Sequence, residues 1–346
     1  MQVSRLPMVS FCMSTYKRPL MLEKQLKILL QQKYQNFEII ISDNDVEASG
    51  RVAVEAVDDA RIKYFVNEAN LGMVKSFNKS IERSSGDYIV MITDDDPAYP
   101  HMLKDLIDLT FQFPDYGIYA GCGDLIIEND FSKNTIKKQI GVNSTLLKSL
   151  KENEILKVQS VDLPSMYLDG FFSGTYLLWS CCIVQRSVIL AIKGMPDYNS
   201  ELLTDHAFMI AAGNINGMIY MNKAMGGQTI HGANFGYNFS SIVDKYIHSP
   251  SYFHDYLEAY LRKNENWHAI ERKIWNFVGR GYVEYSLMIF NALKSNIESK
   301  NEFFNAFDKV FKNKHISKWK YKFYLKAYSN PVFKILLFIK NQFIFD

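Results

Sequence analysis

The sequence predicts an α/β chain: a doubly wound, mostly parallel sheet with flanking helices, followed by a C-terminal helical region. Three observations predict it. Over the first 122 residues, short apolar runs alternate with segments of helical periodicity, the pattern of strands joined by crossover helices. The apolar runs are nearly continuous, as in strands covered on both faces. From about residue 251 onward only helical spacing remains. The 346 residues, 48% hydrophobic and 22% charged, have the balance of a folded chain of one large or two ordinary domains.

Residues 8–13 (MVSFCM) read as the first buried strand. Pro19 suits the first turn of a helix that reaches about residue 32. Leu22, Leu26, Leu29 and Leu30 give that helix one apolar face, and Glu23 pairs with Lys27 at i,i+4. Residues 37–42 (FEIIIS) form the second strand, 50–57 a short helix and 62–66 (IKYFV) the third strand. A helix over 73–83 puts Val74, Phe77 and Ile81 on one side. Residues 88–93 (YIVMIT) form the fourth strand, 102–113 a helix and 117–122 a fifth strand.

Residues 123–164 are polar and irregular and read as an insertion or flap over the sheet. Residues 166–192 hold a loop, a buried strand and the start of a helix. Another helix opens within 201–206 (ELLTDH) and runs through Ala212, with Thr204 or Asp205 near its N-terminus. A short strand at 218–221 precedes a glycine-rich loop, 226–236, that carries His231. Helices then fall around 251–262, 268–293 and 302–311. The implied domains are 1–240, with halves at about 1–122 and 165–240, and a helical region 241–346 ending in a basic, aromatic tail.

A net charge of +2 is too small for a nucleic-acid coat, so no nucleic-acid partner is expected. The charge is uneven, however. Residues 309–346 hold nine of the 39 basic side chains and one of the 37 acids, which makes that tail +8 and the rest −6. Over 331–345, Phe333, Leu336, Leu337 and Ile344 share one helical side with Lys340. This stretch falls short of the roughly 20 apolar residues of a membrane span. The tail is expected to touch an anionic membrane surface, with packing on the rest of the chain or on a second subunit as the alternatives. Cys12, Cys122, Cys181 and Cys182 lack zinc spacing, and no apolar run precedes a cleavage site, so a reducing, cytoplasmic location is expected.

The chemistry falls directly after the strands, where a parallel sheet binds its ligands. Ser14-Thr15-Tyr16, Asp43-Asn44-Asp45, Asn67-Glu68 and Asp94-Asp95-Asp96 would share one rim. Loop polarity alone accounts poorly for three Asp in succession, because like charges so close repel unless a cation neutralises them. The alternative is a solvated acidic turn shaped by Pro97 and Pro100. Asp43 suits either a hydrogen bond to a base or ribose or an Asx turn. Asp205 is a candidate general base or a helix cap, and His231 a metal ligand or a solvated histidine. No Gly-x-Gly-x-x-Gly, P-loop or Gly-x-Ser-x-Gly pattern occurs, which argues against dinucleotide oxidoreductases, P-loop enzymes and serine hydrolases.

In order, VSFCMSTYKRP, FEIIISDND and NEANLGMVKSFNKSIERSSGDYIVMITDDDPAYP resemble glycosyltransferase family 2, closely over 8–115 and loosely over 170–235. The resemblance implies a GT-A type, Rossmann-like sheet and assigns roles residue by residue. Ser14, Thr15 and Tyr16 would lie beside the nucleotide, and Asp43 and Asn44 would read its base. Asn70 and Gly72 would form the turn before the third helix. Asp94 and Asp95 would face the donor, with Asp96, Asp94 and His231 as the metal ligands for Mn²⁺ or Mg²⁺. Ser173 and Gly174 would lie near the acceptor, and Asp205 would be the catalytic base. Thr93, Phe77, Asn44 and Thr204 depart from the family's usual Asp, Arg, Asp and Glu at those places.

The implied activity is an inverting transfer of sugar from a nucleotide-diphosphate donor, a UDP-sugar first, to a lipid-linked saccharide acceptor in bacterial O-antigen or capsule synthesis. A single candidate base without a partner carboxylate suits one displacement with inversion. The competing readings are a sugar-1-phosphate nucleotidyltransferase, which would favour glycine in STYKRP, and a silent sugar- or lipid-binding subunit, which would not need Asp96 or Asp205. The oligomeric state is left open.

Overall fold

The computed structural model describes residues 5–129, 132–137, 145–230, 239, 242–293 and 297–328. Two compact units divide the chain, Met1–His231 and Gly232–Asp346. The first unit opens with β1 (Val9–Thr15), α1 (Pro19–Leu29), β2 (Phe37–Asp43), α2 (Arg51–Val57), β3 (Ile62–Val66), α3 (Met73–Arg83), β4 (Tyr88–Ile92) and α4 (Met102–Gln112). It continues through β5 (Ile118–Asn129), β6 (Ser132–Lys137), α5 (Thr145–Ser149), β7 (Ile155–Val158) and α6 (Leu163–Leu168). It ends with β8 (Cys182–Gln185), α7 (Arg186–Ala191), α8 (Thr204–Asn216) and β9 (Met218–Ile230).

Among the described residues the nine strands make one sheet, ordered β3-β2-β1-β4-β8-β5-β9-β7, with β6 paired to β5. β1, β2, β3 and β4 pair in parallel, as do β5 and β9, while β8, β6 and β7 run antiparallel to their neighbours. The near-continuous apolar runs have the predicted cause. Phe11, Met13, Ile39, Ile41, Val90 and Ile92 bury one face under Leu22, Leu26 and Leu29 of α1 and Met102, Leu103 and Leu106 of α4. Val74, Phe77 and Ile81 of α3 are buried beside β1 and β2. All four cysteines are buried and free.

Two predicted regions differ from the structure. Residues 123–164 are not simply an irregular flap: β5 continues seven residues beyond Cys122 to pair with β6 and β9, and α5, β7 and α6 follow. The strand placed at 218–221 extends to Ile230 through the expected glycine-rich loop. Gly226 is there for a close approach: a Cβ on it would lie 2.4 Å from the Pro97 carbonyl oxygen. Gly227 N–H donates to that oxygen at 3.0 Å, and Tyr99 N–H donates to Met225 at 2.8 Å. His231 and the remainder of that loop to Gly236 lie outside the described residues.

The second unit is helical: α9 (Val243–Leu261), α10 (Trp267–Ala292), α11 (Ile297–Phe311) and α12 (Lys320–Ala327). The sequence places the start of α9 after Pro250, yet the helix runs through it, because Tyr246, Phe253 and Leu257 bury one side of it. The lost backbone bond is a local cost that this packing exceeds. Phe323 of α12 is fully buried, with its ring centroid 4.5 Å from that of Phe307 and 6.0 Å from that of Phe303. The first part of the basic tail therefore belongs to the core of this unit. Residues 329–346, with the apolar side at 331–345, lie outside the described residues.

Truncating Phe323 to Ala should cost about 3–5 kcal/mol, the usual cost for a fully buried aromatic side chain. Denaturant unfolding followed through Trp267, Trp275 and Trp319 measures it. A loss below about 1 kcal/mol would mean that the ring is not a core residue.

Candidate active site

The register of the sheet lines up the carboxyl ends of three strands. Thr15 stands opposite Asp43, and Met13 opposite Ile92, two residues before Asp94. Lys17 takes a left-handed φ of 55°, and the chain turns there into α1. The Arg18 guanidinium then reaches back over the rim. A single nitrogen, Nη1, lies 3.2 Å from Asp94 Oδ1 and 3.2 Å from Asp95 Oδ2. The Thr15 hydroxyl donates to the other Asp94 oxygen at 2.8 Å. Burial raises the Asp94 carboxyl above its usual range, with Asp95 adding to it and Arg18 and Thr15 opposing it.

Asp96 turns toward β9, where its Oδ1 accepts the Thr229 backbone N–H at 2.9 Å. Burial first, and Asp95 second, push its pKa up to about 7. That bond holds the end of β9, two residues before His231, against the acidic turn. Gln25 of α1 donates to the carbonyls of Thr93 at 3.0 Å and Asp96 at 2.6 Å, fixing the turn from below. The donor set is all oxygen and crowded with like charge, which fits Mg²⁺ or Mn²⁺ and not a soft metal.

Asp43 is engaged within its own loop. Its oxygens accept the N–H groups of Asp45 at 2.8 Å and Gly50 at 3.1 Å and the Tyr64 hydroxyl at 2.5 Å. Asn44 holds the next loop: its Oδ1 accepts from Asn67 at 2.9 Å and Leu71 N–H at 3.2 Å, and its amide donates to Gly72 O at 3.1 Å. Asn70 Oδ1 accepts Gly72 N–H at 3.0 Å. Gly72 needs its φ of +79°, and a Cβ there would lie 3.6 Å from the Glu201 carboxylate. The 67–72 loop thus meets the segment that leads into α8. Ser14 is half-buried, and Tyr16 is exposed on the same rim.

Leu203, in a left-handed conformation at φ 68°, precedes α8, and Asp205 stands partly exposed in its first turn. Next to it, His206 Nδ1 is 2.8 Å from the hydroxyl of Tyr167 on α6. The Tyr167 ring also meets Phe172, the neighbour of Ser173, at 6.4 Å between centroids. Ser173 and Gly174, at a 3₁₀ turn, are thereby joined to the start of α8 through Tyr167. Sequence reasoning assigned no role to Arg18, Tyr64, Asn67 or Tyr167. Arg18 carried a signal, as a basic residue in STYKRP directly after a strand, and so did Asn67, directly after the third strand.

Residues 10–168 match the family model described as Glycosyl transferase family 2. That segment is a family 2 glycosyltransferase domain. The GalNAc(5)-diNAcBac-PP-undecaprenol beta-1,3-glucosyltransferase of Campylobacter jejuni is 28% identical over 128 residues, 36% of this chain and 40% of that protein. The chain thus matches less than half the length of that relative. The solved TarS 1-349 of S. aureus superposes with a TM-score of 0.58 at 13% identity, covering 92% of this chain and 83% of that one, and the same fragment has been solved with UDP-GlcNAc. The mannosyltransferase PcManGT of Pyrobaculum calidifontis, solved with GDP-Man and Mn²⁺, gives a TM-score of 0.51 at 12% identity, covering 99% and 89%. These two likenesses establish the fold, GT-A type, for a family 2 sequence. The matched segment includes the Thr15, Arg18, Asp43 and Asp94–Asp96 rim but ends before α8, so Asp205 lies outside it.

The Asp96 pKa of about 7 lies above its ordinary 3.8, so the folded state holds that proton more tightly than the unfolded chain. The stability that protonated Asp96 contributes is complete below about pH 4 and is lost as pH rises toward about 7. In excess chelator, Asp96→Asn should therefore melt a few degrees above the parent at about pH 8 and close to it at about pH 4. Thermal melts across pH check this, and a gap independent of pH would contradict it.

Proposed function

We propose that the chain is a metal-dependent, inverting glycosyltransferase. It moves a sugar from a nucleoside-diphosphate donor, a UDP-sugar first, to a saccharide acceptor carried on a lipid diphosphate, in the synthesis of a bacterial surface polysaccharide. The observation that carries this reading is the rim itself. Asp94 and Asp95 converge on one cationic nitrogen where β4 ends, in a domain of family 2. The Campylobacter relative, whose name includes an undecaprenol-linked substrate, supports the acceptor class. The UDP-GlcNAc and Mn²⁺ held by the two structural neighbours support the donor and the ion.

Asp94 and Asp96, with Asp95 alongside and His231 as a further candidate, would hold the cation, which when bound supplies positive charge to the departing diphosphate. Ser14, Thr15 and the exposed Tyr16 ring would border the nucleoside. Asp43 and Asn44 shape the two loops around it, and Asn70 and Gly72 close its far side. An acceptor hydroxyl positioned by Ser173 and Gly174 would attack the anomeric carbon. Its proton passes to Asp205, and the bond to the diphosphate breaks with its electron pair leaving on oxygen. One displacement without a covalent intermediate inverts the anomeric centre.

Asp96→Ala should abolish transfer and weaken nucleoside-diphosphate binding, and excess chelator should do the same to the parent. Full activity in chelator would sink the metal assignment. Asp205→Asn should keep donor binding, read by calorimetry, while turnover falls by about 10³-fold or more. Near-normal turnover would make Asp205 a helix-start residue only. The product anomer, read by NMR, separates inversion from retention.

The same reading includes peripheral contact with the membrane that bears the acceptor. Among the described residues no helix is long and apolar enough to cross a membrane. Lys309, Lys312, Lys314, Lys318, Lys322 and Lys326 are exposed, and each lysine near anionic lipid contributes about 1 kcal/mol. Deleting residues 329–346, which leaves Phe323 in place, should reduce co-sedimentation with anionic vesicles at low salt. Unchanged sedimentation would remove residues 329–346 from the membrane contact.

A further inference from the structure

The Arg18 guanidinium lies on the same carboxylates that are assigned to the divalent ion. Arg18 follows Lys17, whose backbone is left-handed, and is the last residue before α1. Its side chain is 31% exposed, while those of Asp94 and Asp95 are 5% and 14% exposed. Nη1 lies 3.2 Å from Asp94 Oδ1 and 3.2 Å from Asp95 Oδ2, so one nitrogen serves as counter-ion to two carboxylates. The other Asp94 oxygen accepts the Thr15 hydroxyl at 2.8 Å, which leaves both oxygens of Asp94 engaged. The acidic turn is also held by groups other than Arg18. Gln25 donates to the carbonyls of Thr93 and Asp96, and the Thr229 N–H donates to the Asp96 carboxylate. The guanidinium can therefore leave its two carboxylates with the turn still fixed.

We propose that Arg18 competes with the divalent ion for Asp94 and Asp95, and that a diphosphate relieves the competition by taking the guanidinium. This rests on the reading of these carboxylates as the metal site. A guanidinium is always charged. Mg²⁺ binds a carboxylate oxygen at about 2.0–2.1 Å, well inside the distance at which Nη1 stands. An ion on either oxygen would face the guanidinium across one atom, and the two positive charges repel. The ion therefore binds best when Arg18 has another anion to pair with. A diphosphate supplies one, because a guanidinium meets phosphate oxygens with two parallel N–H donors. Ion and diphosphate then favour each other's binding, each by the same factor. Arg18 thus makes the site select the ion together with its diphosphate over the ion alone.

The test titrates Mn²⁺ into the full chain, alone and with saturating UDP. Free Mn²⁺ is read by electron paramagnetic resonance against a blank of UDP without protein, so no turnover is needed. In the parent, UDP should strengthen Mn²⁺ binding by about tenfold or more. A parent that binds Mn²⁺ equally well without UDP would overturn the proposal without any variant having to fold. Arg18→Gln should bind Mn²⁺ alone about tenfold more tightly than the parent and gain correspondingly less from UDP. Lys24→Gln removes another cation of α1, one paired with Glu128, and should leave Mn²⁺ binding within about twofold. If Arg18→Gln binds Mn²⁺ no better than the parent, the guanidinium only orients the carboxylates and the proposal is refuted. Equal tightening in Arg18→Gln and Lys24→Gln would show a general effect of charge and refute it too. Failure of the metal reading is separable. Neither chain would then take up Mn²⁺ with or without UDP, whereas failure of this proposal leaves uptake in both and removes only their difference.

Discussion

Asp94, Asp95 and Asp96 occupy consecutive positions where a buried strand ends, and their mutual repulsion has to be offset at that spot. The surrounding elements are arranged to do so. α1 begins where Arg18 can place one nitrogen between two of the carboxylates, and its next turns carry Gln25 to the carbonyls on either side of the acidic turn. β1 ends on a threonine whose hydroxyl faces Asp94. β9 arrives with a backbone N–H for Asp96, and glycines next to it let the strand come close enough to Pro97 to hold the chain beyond the turn. Arg18 offsets two of the three charges. The third shows what is left over: burial first, and Asp95 second, push the Asp96 carboxyl up to about 7.

The second acidic position solves a different problem. Asp43 is wholly buried, and its charge is met by two backbone N–H groups and a phenol, so it organises the loop from Asp45 to Gly50. Asn44 does the same for the loop from Asn67 to Gly72. Together they fix the two loops. Along one rim, then, carboxylates of one residue type do unlike work. Asp94 and Asp95, after β4, meet the Arg18 guanidinium, and the one after β2 is a scaffold for its own loop.

β1, β2 and β4 were legible because their sequences are nearly continuous apolar runs, the pattern of a strand covered by helices on both sides. The acidic rim was legible for the opposite reason: three successive aspartates after such a strand are hard to explain by packing. The length of β5 and β9 was not legible. Asp124, Glu128, Gly226 and Gly227 read locally as loop, and what makes them strand is each other, through a parallel pairing of residues about 100 positions apart. The partners of Asp43 were hidden for a similar reason, since Tyr64 is 21 residues away and reaches it only once β2 and β3 are paired in register. Tyr167 carried no signal at all, because a tyrosine in a short amphipathic helix is indistinguishable from core until α6 is seen against α8.

The basic tail shows how composition can merge two functions into one apparent feature. Aromatics and lysines alternate from Lys309 to Tyr328, and read as a line they suggest a single amphipathic surface. Folded, they separate by direction. Phe311 and Phe323 turn inward to Phe307, and Trp319 lies so close to α10 that a Cβ on Gly279 would sit 2.2 Å from its ring. Lys309, Lys312, Lys314, Lys318 and Lys322 remain outside. Phe311, Phe323 and Trp319 are therefore spent on holding the helical unit together, while Tyr321 stays exposed. What the described part of this region presents is charge. Any attraction it exerts on an anionic surface is electrostatic, long in reach and weakened by salt, and it would orient the unit without inserting it.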